Sequence, residues 1–254
     1  MERILNLAGY RFVAVGEPEA LADAVRREAG RLGLKGTVLL AEEGLNFSVA
    51  GEADAADAFV AWLRRDARFA DLSVKRSWSE TVPFGRLRVK VKPEIIRMDS
   101  PAVRPAAGRA PGIDAATLDR WLDAGCDDDG RPIVLLDTRN AFEVDRGAFR
   151  GAVDWRLARF GDFPAALAAH RAVLAGHTVV AYCTGGIRCE KAALLMQQHG
   201  IDGVRQLDGG ILGYLDATRS QRRHWRGECV VFDDRGTLDA GLAPAVASPM
   251  AVAA

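Results

Sequence analysis

The chain has 254 residues, of which 49% are hydrophobic and 27% charged, so it is long enough for one large domain or two ordinary ones and too apolar for a disordered chain. Its 34 basic and 34 acidic residues cancel, which excludes binding of a polyanion through overall charge; any nucleic-acid surface must be local. No apolar run approaches the roughly 18 residues that cross a bilayer, and the start "MERILNLAGYRF" lacks a signal-peptide pattern, so cytoplasm is the expected compartment. There Cys126, Cys183, Cys189 and Cys229 are expected as thiols, and with no C-x-x-C pair a structural zinc site is not expected.

In chain order, "YRFVAV" (Tyr10 to Val15) has the β-branched and aromatic content of a strand. Pro18 then opens a helix with Leu21, Val25, Ala29 and Leu32 on one face. "GTVLLA" and "NFSVAG" read as two strands joined by the turn "EEGL". Ala56, Phe59, Val60 and Leu63 carry the spacing of a second amphipathic helix. "LSVKRSW" and "RLRVKVKPEIIRM" close the unit as strands. This βαββαβ order predicts an α+β sandwich, ferredoxin-like in plan, over residues 1–98. The proline-rich stretch 99–112 reads as a linker.

From Asp114 the pattern changes. "DAATLDRWLDAG" reads as a helix capped by Asp114 and stopped by Gly125. "IVLLDT" and "TVVAYC" are short and nearly all apolar, as strands buried on both faces must be. "VRQLDGG" is a third strand. "FPAALAAHRAVLA", "CEKAALLMQQHG" and the start "ILGYLDAT" are helices. Strands alternating with helices predict a parallel α/β sheet over residues 113–227, followed by an extension and a frayed tail over residues 228–254.

Sites in open α/β sheets lie at the carboxyl ends of strands, and Cys183 stands at one. The residues Thr184, Gly185, Gly186, Ile187 and Arg188 separate it from a helix expected to start near Cys189 or Glu190. Two glycines allow a tight turn, backbone N–H groups and the helix N-terminus supply positive potential, and Arg188 adds a cation. Each favours a thiolate, so Cys183 is expected to have a lowered pKa and to be nucleophilic; the same cradle suits the anion of a persulfide. The competing reading is a buried structural cysteine in a glycine turn.

C-x-x-G-x-R before a helix resembles the active-site loop of rhodanese domains. "LLDTR" with Glu143, "GAFRGAVDW" and "VRQLDGGILGYL" agree with it over about residues 132–218. The unbroken "CTGGIRCEKA" is more specific, as are "WRGECVVFDDR", "AEEGLN" and "PFGRLRVKVKPEIIRM". Together they resemble the bacterial tRNA uridine(34) hydroxylase family. That resemblance implies an N-terminal acylphosphatase-like domain followed by a rhodanese-like domain. It also implies oxygen-dependent formation of 5-hydroxyuridine at the wobble position, the tRNA anticodon arm as partner, molecular oxygen as co-substrate, and Cys183 as the catalytic cysteine. The loop by itself supports a persulfide-carrying sulfurtransferase equally well. A non-enzymatic redox or regulatory module, with an unreactive Cys183, is the third reading.

No cofactor is legible. His170, His177, His199 and His224 lack the spacing of an iron site, and the Gly209–Gly210 pair reads as a strand-to-helix turn and not a dinucleotide fingerprint. Cys189 is either a second thiol that resolves an oxidised Cys183 or a small buried residue. Arg139 and Glu143 either pair to shape the pocket or form an ordinary exposed pair. Arg86, Arg88, Lys90 and Lys92 alternate onto one side of a strand, a candidate phosphate-binding face or a plain solvated one. Arg222 and Arg223 belong to a second basic cluster beside Trp225, which either stacks on a base or packs at the domain edge.

Overall fold

The computed structural model describes residues 3–218 and 223–245. They divide into two compact units, residues 3–95 with 231–245, and Ile96–Val230.

The first unit is a five-stranded mixed sheet. Its elements are β1 (Ile4–Phe12), α1 (Pro18–Arg31), β2 (Lys35–Ala41), β3 (Gly44–Gly51), α2 (Ala53–Leu63), β4 (Val74–Ser79) and β5 (Leu87–Val91). The strand order is β4-β1-β3-β2-β5. β1, β2, β3 and β4 pair antiparallel, and β5 adds to the edge of β2 in parallel. The ferredoxin-like plan is therefore present, with one strand more. Pro18 starts α1 where its missing N–H costs nothing. Alternation along the strands sends Leu5, Leu7, Val38, Leu45, Phe47 and Val49 into one core with Val25, Ala29, Ala56, Phe59, Val60 and Leu63 of the helices. Gly44, at φ 147°, ends the β2–β3 turn, where a Cβ would lie 2.0 Å from the Arg11 carbonyl oxygen.

The second unit is a parallel sheet between helices. In chain order it comprises β6 (Gly112–Ile113), α3 (Ala115–Ala124), β7 (Ile133–Asp137), α4 (Ala141–Arg146), β8 (Gly147–Phe149) and β9 (Val153–Asp154). It continues with α5 (Phe163–His170), β10 (Thr178–Tyr182), α6 (Ile187–Gln198), β11 (Val204–Leu207), α7 (Gly210–Thr218) and β12 (Trp225–Gly227). The order β6-β11-β10-β7-β9 puts β10 at the centre, and all five of its residues are buried. One face packs Leu136, Val179, Ala181 and Cys183 against Phe163, Leu167, Ala192 and Met196. On the other, Phe149 sets its ring edge-on to Tyr182, Tyr214 and Trp225 at 4.9, 4.7 and 5.2 Å. β8 and β12 form a separate antiparallel pair. Along the proline-rich stretch, Met98, Val103 and Ala110 are buried in the core of this unit.

Asp114 caps α3 by accepting the Thr117 N–H at 2.7 Å, and Gly125 ends it in the left-handed conformation at φ 73°. The helix expected over residues 163–175 stops at His170 and continues as a 3-10 turn over Arg171–Leu174. α6 begins at Ile187, two residues before the expected start, because Gly186 adopts φ 104° and turns the chain straight into the helix. Arg188 and Cys189 thereby fall in its first turn.

Candidate active site

Cys183 follows the last residue of β10, and its side chain is fully buried beneath the loop that leads to α6. The Gly186 N–H points at its Sγ at 3.1 Å. The carbonyls of the loop are drawn away from the sulfur: Ile211 N–H donates to Cys183 O at 2.9 Å and Leu212 N–H to Thr184 O at 3.0 Å. The first turn of α7 thus braces the loop from behind, with no room to spare. A Cβ on Gly210, which sits at φ 60°, would lie 2.4 Å from Cys183 O and 2.8 Å from Thr184 O. The Gly209–Gly210 turn, legible in the sequence only as a strand-to-helix connection, is what lets the loop close on the thiol.

Burial opposes ionisation of Cys183, but it is outweighed by a hydrogen bond from Cys189, the Arg188 charge and the N–H groups of Arg188 and Gly186. The balance puts the thiol well below its ordinary value. Cys189 shifts the opposite way, raised by burial and by the anion beside it. Protons can be counted here. The Thr138 hydroxyl donates to Tyr182 O at 2.9 Å and lies 3.7 Å from the Cys189 sulfur, so its hydrogen is spent and its oxygen competes with the Cys183 thiolate for the single Cys189 S–H.

Arg188 and Glu143 form one wall. The guanidinium holds both carboxylate oxygens, at 2.6 and 2.7 Å, and both side chains are buried. The Thr184 hydroxyl donates to Glu143 at 3.3 Å, and Asn140 N–H to its other oxygen at 3.1 Å. Although burial works against it, Arg188 keeps the Glu143 carboxyl below its usual value. Arg139 is not the partner of the Glu143 side chain, nor are the two an exposed pair. Its guanidinium grips Asp137 at 2.9 and 2.7 Å, donates to Gly147 O at 2.7 Å and lies over the rings of Tyr182 and Trp225. It fastens β7 to β8.

The other expected residues are not part of the loop that holds the thiol. Arg86, Arg88, Lys90 and Lys92 are exposed, while Leu87, Val89 and Val91 between them face the core. One row across the first sheet runs Lys75, Ala8, Ser48, Thr37, Arg88, and the next Tyr10, Asn46, Leu39, Lys90, with no carboxylate in either. Arg223 pairs with Asp123 at 2.8 Å. Arg222 lies outside the described residues. Trp225 is buried, its indole N–H donating to Gly227 O at 3.0 Å, so it packs and does not stand free to stack. Cys126 is half-buried and Cys229 buried; burial pushes the Cys229 thiol up to about 12. Among the described residues no group of three or more His, Cys, Asp or Glu side chains is placed to hold a metal ion, and no helix is long and apolar enough to cross a membrane.

A buried strand that delivers a cysteine into a C-x-x-G-x-R loop, closed by backbone N–H groups at a helix N-terminus, defines a rhodanese-type domain. Residues 115–217 match the family model described as a rhodanese-like domain, and residues 4–95 that described as the UPF0176 acylphosphatase like domain. The whole chain is similar to proteins called tRNA uridine(34) hydroxylase. It is 58% identical to that of Bordetella petrii over 96% of each chain. To that of Variovorax paradoxus it is 57% identical over 100% of this chain and 96% of the relative. To that of Cupriavidus taiwanensis it is 53% identical over 96% and 86%. The chain belongs to the tRNA uridine(34) hydroxylase family.

Proposed function

We propose that this protein hydroxylates the wobble uridine of tRNA to 5-hydroxyuridine with molecular oxygen as co-substrate, and that Cys183 is its essential nucleophile. The observation that carries the reading is 58% identity, over 96% of both chains, to a relative named for action on uridine 34. The loop supports the residue assignment, because a thiolate at the base of a cradle of N–H groups is the one strongly nucleophilic group the site presents. Thr184, Gly185, Gly186 and Ile187 shape that cradle; Arg188, fixed by Glu143, supplies the positive charge beside it. Arg86, Arg88, Lys90 and Lys92 contact phosphates of the anticodon arm, and Arg223 with Arg222 forms a second contact. Such a substrate places the work in the cytoplasm.

The experiment is nucleoside analysis of tRNA from a deletion strain carrying the wild-type gene, Cys183→Ser or nothing. Deletion should remove 5-hydroxyuridine and its derivatives, and only the wild-type gene should restore them. Unchanged wobble nucleosides after deletion would sink the proposal. A second reading, a sulfurtransferase carrying a persulfide on Cys183, is favoured by the same N–H cradle, which stabilises any anion on sulfur. Its signature is a mass gain of one sulfur atom after thiosulfate treatment that Cys183→Ser lacks.

A further inference from the structure

A cleft of about 480 Å³ opens in the second unit, away from the thiol. Its floor includes Tyr182 and Asp137, which pair across β10 and β7. Along a strand side chains alternate. Tyr182 therefore points to the face opposite Ala181 and Cys183, and the cleft is separate from the catalytic loop although Tyr182 precedes Cys183 in the chain.

The lining gives this cleft a chemistry. Its carboxylates are already engaged: Asp137 is held by Arg139, and Asp145 and Asp154 both by Arg156. Arg146 and Arg226, by contrast, have no carboxylate within ion-pair reach among the described residues, and both line the cleft. Arg146 ends α4 just ahead of β8, and Arg226 lies on β12 opposite Ala148. Gly147 and Gly227 pair between them and let the two backbones approach closely: a Cβ on Gly147 would lie 2.4 Å from Glu228 O, and one on Gly227 2.3 Å from Arg146 O. At the floor the Tyr182 hydroxyl is buried and makes no hydrogen bond of good geometry, although the Asp137 carboxylate and the Phe149 backbone lie close by, an uncommon state for a buried polar group. At the rim Arg156 takes a left-handed backbone, φ 53°, which strains a non-glycine residue. The Asp154 carboxylate holds it there by accepting its N–H at 2.7 Å.

We propose that this cleft is a second ligand site, built for a small free organic anion. A carboxylate or phosphate sits between Arg146 and Arg226, whose forked donors match either group, and a neutral oxygen at the far end accepts the Tyr182 hydroxyl. The volume suits a ligand of metabolite size. The site is independent of the hydroxylase reading, since Cys183 takes no part in it.

Calorimetric titration of the full chain with inorganic phosphate, uridine 5′-monophosphate and citrate, at low salt, tests this. At least one probe should bind at a single saturable site. Arg146→Ala and Arg226→Ala should each weaken that binding at least tenfold, Arg226→Lys less, and Tyr182→Phe should weaken the two organic probes while leaving phosphate unchanged. Cys183→Ser should leave all three unaltered, which separates this result from the fate of the hydroxylase proposal. Absence of binding by every probe at millimolar concentration overturns the site, as does binding that survives both arginine substitutions. Displacement of the bound probe by tRNA would overturn the assignment to a free anion and give the cleft to an RNA phosphate.

Discussion

At the residue scale the thiol pair decides the chemistry. Cys183 has a folded-state value below that of the free thiol, so the thiolate persists as pH falls beneath the ordinary range and is lost only through the lowered value. The stability contributed by ionised Cys183 has the same sign: full above the ordinary thiol range, gone once pH has fallen through the lowered one. Titration of ultraviolet thiolate absorbance, with Cys183→Ser as blank, should show this midpoint. In Cys189→Ala the anion loses one charge-assisted hydrogen bond, and the midpoint should rise by roughly 1–2 pH units. An unmoved midpoint would mean that the Cys189 S–H does not face Cys183. Gly210→Ala is the sharper probe of the brace. A left-handed alanine costs about 1–2 kcal/mol by itself, and its Cβ would also press on the Cys183 carbonyl, so the thermal midpoint should drop and the thiolate midpoint rise together.

At the scale of elements, α4 and α6 are tied by one buried ion pair, Glu143 with Arg188. Removing one member leaves the other charge buried alone, so Glu143→Gln should cost about 3–5 kcal/mol in urea unfolding. The pH dependence follows from the lowered Glu143 value. Its contribution is complete above the ordinary carboxylate range and lost as acid protonates it. The wild type should therefore lose stability on acidification more steeply than Glu143→Gln. Equal slopes would show that Arg188 does not hold the carboxylate. This tie was half legible: Arg188 and Glu143 were both recognisable, but the sequence offered Arg139 as the partner because it is nearer in the chain. Asp137, two residues before Arg139 at the end of β7, had the prior geometric claim. The short pieces α4, β8 and β9 were not foreseen, since two to six residues carry too little periodicity to register.

For the molecule as a whole, zero net charge means that RNA affinity must come from a local face. Replacing Arg86, Arg88, Lys90 and Lys92 together by alanine should weaken tRNA binding and make its salt dependence shallower by roughly three powers of concentration, with the thiolate midpoint unchanged. Filter binding across a salt series checks it, and an unchanged slope would return those residues to a solvated strand face. The alternation that exposes all four was plain from "RLRVKVK", because period two survives any tertiary context that buries one side of a strand. The same holds for the helix spacing of Phe59 and Leu63, the capping of α3 by Asp114 and the apolar run of β10: local rules with short-range causes. The sequence by itself thus determined the two fold classes and the cysteine at a strand end. Tertiary structure alone decided which charges pair, that Gly210 as well as the loop's own Gly186 sets the closeness of the cradle, and that Arg146, Arg226 and Tyr182 share one hollow. Those residues are tens of positions apart, and nothing in a linear pattern records a distance that only packing can close.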